Sequence, residues 1–161
     1  MKGDKTVIKY LNAVLRNELT AVNQYFLHSR MLEDWGMTKL AKHEYEESIE
    51  EMQHADKVIQ RILLLEGLPN LQDLNKLNIG ENVKEVIECD LKLEMIALPE
   101  LKEAIQAAEK VQDYVSRDLF LEILRDEEGH VDYLETQLEM IENMGVANYS
   151  MLQSNAAGEE K

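Results

Sequence analysis

The stretch ESIEEMQHAD, residues 47–56, and the stretch ILRDEEGHVD, residues 123–132, each contain Glu-x-x-His, as Glu51/His54 and Glu127/His130. The two pairs lie 76 residues apart, and the same shift carries Glu18 onto Glu94. A single Glu-x-x-His is easily accidental in a chain with 23 Glu and 4 His. A shared offset is harder to produce by chance. At this shift Glu falls on Glu five times (18/94, 33/109, 46/122, 51/127, 66/142), where random placement gives about two. We read two related helical hairpins.

Working outward, the 161 residues are 45% apolar, enough for one domain with a real core. Two Pro and seven Gly interrupt a chain rich in Leu, Glu, Lys, Ala, Met and Gln, which is an all-α signature. No apolar run reaches membrane-spanning length, and residues 1–11 offer no secretory h-region. The single Cys89 excludes an internal disulfide and a thiolate metal ribbon, so a reducing cytoplasm is the expected location. A formal charge of −15 argues against a nucleic-acid partner and favours cations.

Asp4 is placed to cap a first helix with the stripe Leu11, Leu15, Val22, Tyr25 and Phe26, which Gly36 ends. A second runs from about Thr38 to Gly67, with Pro69 beyond it as a stop signal. Residues 68–82, LPNLQDLNKLNIGEN, are too many for a tight turn and too apolar for a free linker. They predict a long crossover packed along the bundle. A third helix follows from about Val83 to Lys110, with Pro99 expected to kink it or force a bulge, and a fourth from about Asp113 to Met144. The domain plan is a four-helix bundle over about 4–145, a short helix at about 147–153 and a flexible tail at 154–161.

All four Glu lie on apolar stripes: Glu18 with Leu11 and Val22, Glu51 with Ala55 and Val58, Glu94 with Ile87 and Leu101, Glu127 with Phe120 and Leu134. Their distances from the two hairpin turns match, so folding brings them to one height. Each His follows its Glu by one helical turn on the same face. Four unpaired carboxylates in one dry slice would each cost several kcal/mol or take up protons. Two divalent cations restore neutrality, in the pattern of ferritin-like di-iron and di-manganese carboxylate bundles. Oxygen-rich ligands with one imidazole per metal suit iron or manganese, and we expect iron. Glu51 and Glu127 would bridge two ions, each capped by Glu18 or Glu94. His28 and His43, with no Glu three residues before them, read as ordinary residues.

With these motifs in place, the chain resembles the bacterioferritins, through MKGDKTVI, NELTAVNQYFLHSRM, ESIEEMQHAD, RILLLEGLPNLQDL and DYVSRDLFLEILRDEEGH. The resemblance implies a ferroxidase and iron store: Fe(II) is oxidised by dioxygen or hydrogen peroxide and kept as ferric mineral in a hollow 24-subunit cage. It implies two iron ions per subunit on Glu18, Glu51, His54, Glu94, Glu127 and His130. It also implies haem b on the dimer two-fold, with Met52 of each subunit as axial ligand. A small ferredoxin would be the reductant for iron release, and a second ferritin subunit could share the cage. Glu46 and Glu50 stand where some relatives carry His and Asp on an inner-surface iron site, and Tyr133 where some carry Trp. Tyr25 matches an aromatic near the metals, and Asn148 lies near the pore-lining segment. Two rivals share the bundle: a di-iron oxidase or peroxidase without storage, and a haem-binding subunit of a mixed cage.

Overall fold

The computed structural model describes residues 1–156, which form five helices: α1 (Lys5–Asp34), α2 (Thr38–Leu64), α3 (Val83–Lys110), α4 (Tyr114–Met144) and α5 (Val146–Leu152). Three of the long helices begin where a short polar side chain satisfies free N–H groups. Asp4 accepts from Thr6 and Val7, Asn82 from Glu85, and Asp113 from Ser116. Arg61 of α2 grips the α4 cap, donating to Asp113 Oδ1 at 2.7 Å and to Ser116 Oγ at 2.8 Å.

α2 ends three residues before the expected Gly67. The reversal is made by Glu66 at φ 61°, and the Gly67 N–H reaches back to the Ile62 carbonyl at 2.9 Å. Gly67 is needed for space: a Cβ there would stand 2.8 Å from Ile8 Cγ2 and 2.9 Å from Ile62 Cγ2. α3 continues as one helix through Pro99. The helical carbonyl that Pro99 cannot serve belongs to Met95, which is half exposed, so water can take the donor's place.

α1 packs on α2 and α3 on α4, and the two hairpins meet mainly through α1 and α3. Two apolar layers form the core. One gathers Leu11, Val58, Ile62, Leu101 and Phe120; the other gathers Leu32, Leu40, Ile87, Leu134 and Tyr149 of α5. Between them lies the polar slice that carries the four Glu. Tyr149 plugs the second layer and donates to Gln137 Oε1 at 2.7 Å.

The crossover runs beside α1 and in the same direction, joined to it by a ladder of polar side chains. The Asn70 N–H donates to Asn12, Asn75 N–H to Thr20, Asn78 N–H to Gln24 and Gly80 N–H to His28, all at 2.9–3.1 Å. Asn12, Thr20, Gln24 and His28, with Arg16 between them, recur every four or eight residues, so they form one face of α1. The cover also rotates the buried face of α1. Phe26, expected on the core stripe, is 46% exposed, whereas Thr20, Gln24 and His28 are fully buried. In the expected flexible tail, Ser154 Oγ donates to the Ser150 carbonyl at 2.8 Å and the Asn155 N–H to Thr38 Oγ1 at 3.2 Å. Residues 157–161 of that tail lie outside the described part.

Candidate metal centre

The fold brings all six candidate ligands into the slice between the two apolar layers, each at most 6% exposed. They form two groups whose ligand atoms lie within 4.8 Å of one another: Glu18, Glu51, His54 and Glu127, and Glu51, Glu94, Glu127 and His130. Glu51 and Glu127 belong to both. Each imidazole turns Nδ1 inward. His54 Nδ1 is 3.4 Å from Glu18 Oε2, and His130 Nδ1 is 3.2 Å from Glu127 Oε2. Tyr25 Oη donates to Glu94 Oε1 at 2.6 Å and fixes that carboxylate.

The outer nitrogens reveal partners the sequence reading missed. His54 Nε2 meets Asp126 Oδ2 at 2.7 Å, and His130 Nε2 meets Glu50 Oε2 at 3.2 Å and Glu47 Oε2 at 2.5 Å. Glu50 and Asp126 sit four residues before the two histidines and are themselves 76 apart, so the repeat already contained their signal. Each serves the histidine of the other hairpin. Carboxylates in this position orient a ligating imidazole and raise its basicity. Glu47 has no counterpart, since position 123 is Ile.

Burial pushes Glu18 up to about 7, helped by the charge of Glu127, and pushes Glu51 up to about 8, helped by Glu18. Glu94 is raised well above the usual carboxylate range by burial and then by Glu127. Burial alone would lower both histidines. For His54, hydrogen bonds to Glu127, Glu18 and Glu51 outweigh it, and for His130 those to Glu127, Glu47 and Glu51 do the same. Burial also works against ionised Glu47, yet hydrogen bonds from His130 and His43 hold it down at about 2. Without cations, protons keep the slice close to neutral.

The donor set fits two hard or borderline divalent ions. Among the described residues no Lys or Arg pairs with any of the six. Glu127 Oε1 and Glu51 Oε1 are buried without an aligned donor, although His130 Nδ1 stands 3.0 Å from the latter. Oxygens left facing one another in this way call for a cation or a proton.

Other candidates fall elsewhere. Glu46 is exposed, and among the described residues no ion pair joins it to the centre. His28, read as ordinary, is fully buried: Nε2 accepts from Gly80, so Nδ1 carries the proton and donates to Asp90 Oδ1 at 2.8 Å. Both nitrogens are thereby occupied by structure. Glu44 lies beside this pair, raised by burial and by Asp90. His43 stacks on Tyr133 with centroids 3.8 Å apart. Met52 is 52% exposed on an apolar strip with Tyr45 and Ile49 of α2 and Phe26 of α1.

Comparison with known proteins agrees with this geometry. The model of the ferritin-like domain matches residues 8–144. The chain is 55% identical over 159 residues to the bacterioferritin of Brucella melitensis, covering 99% of both chains. It is 54% identical over 157 residues to that of Rhodobacter capsulatus, covering 98% of this chain and 96% of the relative. Against the bacterioferritin of Mycolicibacterium paratuberculosis it is 50% identical over 150 residues, 93% of this chain and 94% of the other. A four-helix bundle with a long crossover, two buried Glu-x-x-His pairs at one height and near-complete alignment lead to one conclusion: the chain belongs to the bacterioferritin family.

Proposed function

We propose that the chain oxidises Fe(II) with dioxygen or hydrogen peroxide and stores the ferric product as mineral inside a hollow homo-oligomeric cage. The observation that carries this reading is the sharing of Glu51 and Glu127 between two buried ligand groups. Iron is substrate and cargo, held by Glu18, Glu51, His54, Glu94, Glu127 and His130. Two Fe(II) give two electrons to dioxygen, which leaves with two protons as hydrogen peroxide. With hydrogen peroxide as oxidant, the two electrons and two protons yield two waters. Asp126, Glu50 and Glu47 orient the imidazoles, and Tyr25 orients Glu94.

Met52 would hold haem b through its thioether between two copies, and the haem would supply electron transfer there. The exposed strip of Phe26, Tyr45, Ile49 and Met52 supports pairing of copies there, since contiguous apolar surface marks an interface. A 24-subunit cage, a ferredoxin reductant and a cytoplasmic setting complete the reading. The test is anaerobic addition of Fe(II) to metal-free protein, then oxygen, followed optically with sizing of the product. Two Fe(II) oxidised rapidly per chain and hundreds retained per particle are expected. Oxidation and loading at the wild-type rate in Glu94→Ala would refute the centre. Met52→Leu should lose the haem Soret band and keep mineralisation.

A further inference from the structure

The carboxylate slice has two flanks that differ in charge. On the α2/α4 side stand Glu47, Glu50 and Asp126, whose ion pairs among the described residues run only to histidines. On the other side, a cavity of about 320 Å³ is lined by residues of α1, α3 and the crossover, with Glu18, Glu51, Glu94 and Glu127 in its wall. That volume is ample for a molecule the size of dioxygen or hydrogen peroxide.

Arg16 lies in the wall of this cavity, with the exposed Lys76 of the crossover and Glu100 of α3. Its guanidinium joins two carboxylates on different elements, Asp73 of the crossover at 3.4 Å and Glu100 at 3.6 Å. Glu100 also accepts from Asn17, the neighbour of Glu18, at 3.1 Å. The mouth therefore carries two positive groups, Arg16 and Lys76, against Glu100, while Asp73 holds the guanidinium from outside the cavity lining. A divalent cation arriving here meets a fixed guanidinium, whereas on the α2/α4 side it meets three acids shared between two imidazoles, with Lys57 nearby already held by Glu122. A neutral molecule is indifferent to either field. The Arg16 Nε–H, buried and without an acceptor, remains as a donor for a passing oxygen atom.

Building on the reading of the slice as an Fe(II)-oxidising centre, we propose that the α1/α3 cavity is the entry for a small neutral oxidant and that Arg16 bars divalent cations from it. The port and the cation path are then separate. Arg16→Gln removes one of the two positive groups at the mouth and opens it to cations. Ala97→Phe fills the cavity from α3, where Ala97 is a buried wall residue.

The test uses metal-free protein and Co(II), followed by its visible absorption in stopped flow, and separately the oxidation by dioxygen of Fe(II) already bound. Arg16→Gln should capture Co(II) about tenfold faster, with a gain that shrinks as salt rises. Ala97→Phe should slow oxidation of bound Fe(II) by at least about tenfold and leave Co(II) capture unchanged. Capture at the wild-type rate in Arg16→Gln overturns the barrier, and this variant decides the matter alone if Ala97→Phe does not fold. Equal slowing of capture and oxidation in Ala97→Phe overturns the separate port. Failure of the wild-type chain to bind two Co(II) overturns the centre itself, a result distinguished by stoichiometry and not by rate.

Discussion

Binding two Zn(II) to the metal-free protein at pH 7 should release roughly four protons per chain. His54, His130 and Glu94 are all raised, which favours their protonated forms in the metal-free slice. At that pH Glu51, at about 8, keeps most of one proton, and Glu18, at about 7, about half of one. All must leave when cations take the six ligands. Charge balance gives the same answer by a separate route, because two divalent ions entering a dry, nearly neutral slice must displace about four positive charges. The apparent affinity should then rise steeply with pH, by about two orders of magnitude per ion for each unit near pH 7.

The same protons set the stability of the metal-free fold. A carboxyl raised in the folded state binds its proton more tightly there than in the unfolded chain. Glu18 and Glu51 therefore weaken the fold as pH rises from about 4.5 to about 8. The raised histidines act in the same direction above about 6.5. Melting temperature should fall between pH 5 and 8 without metal, and Zn(II) should reverse the trend. Zinc titration in a pH-stat, or calorimetry in two buffers of different ionisation enthalpy, measures the proton count directly. Fewer than about two protons for two bound Zn(II) would refute the reasoning, because it would place the ions on exposed carboxylates that are already ionised.

Three further outcomes follow from particular contacts. Asp126→Ala removes the acceptor from His54 Nε2 and should weaken one of the two cation positions by about tenfold to a hundredfold, making a Zn(II) isotherm biphasic. His28→Ala strands the Gly80 N–H, leaves Asp90 with the Gln24 amide as its remaining donor, and opens a hole. Its cost should be about 2–4 kcal/mol in urea unfolding, with faster amide exchange in the crossover. Gly80→Ala would place a Cβ 2.3 Å from the Val86 nitrogen and 2.6 Å from the Glu85 carbonyl carbon, backbone that cannot step aside. A loss of about 3 kcal/mol is expected, and a neutral result in thermal melting would contradict that close approach.

Much of the centre was legible in the chain because it is repeated. One offset carries Glu18, Glu51 and His54 onto Glu94, Glu127 and His130, and helical spacing puts each set on a core-facing stripe. Asp126 and Glu50 obey the same offset, yet Asp126 was overlooked and Glu50 was read only as an inner-surface residue, since an acid four residues before a histidine ordinarily marks a solvated face. Glu47 breaks the repeat, so spacing gave no warning that it touches His130. Tyr25 also breaks the repeat, but it shares the stripe of Glu18 and the resemblance had marked it as lying near the metals, where it donates to Glu94. The end of α2 was misplaced because Gly67 looks like a stop signal, while the left-handed turn falls on Glu66 and Gly67 serves packing.

The sequence by itself determined the helical class, the four long helices, the crossover and the choice of six candidate ligands that the fold brings into one slice. Each of these follows from periodicity and spacing along one dimension. Only the tertiary structure decided which polar faces are dry. Thr20, Gln24 and His28 look like a wet stripe of α1 until the crossover lies over them, and Arg16 looks like a surface charge until Asp73 and Glu100 close around it. Whether a polar group is covered depends on a segment about 55 residues away in the chain, and no local pattern reports the position of that cover.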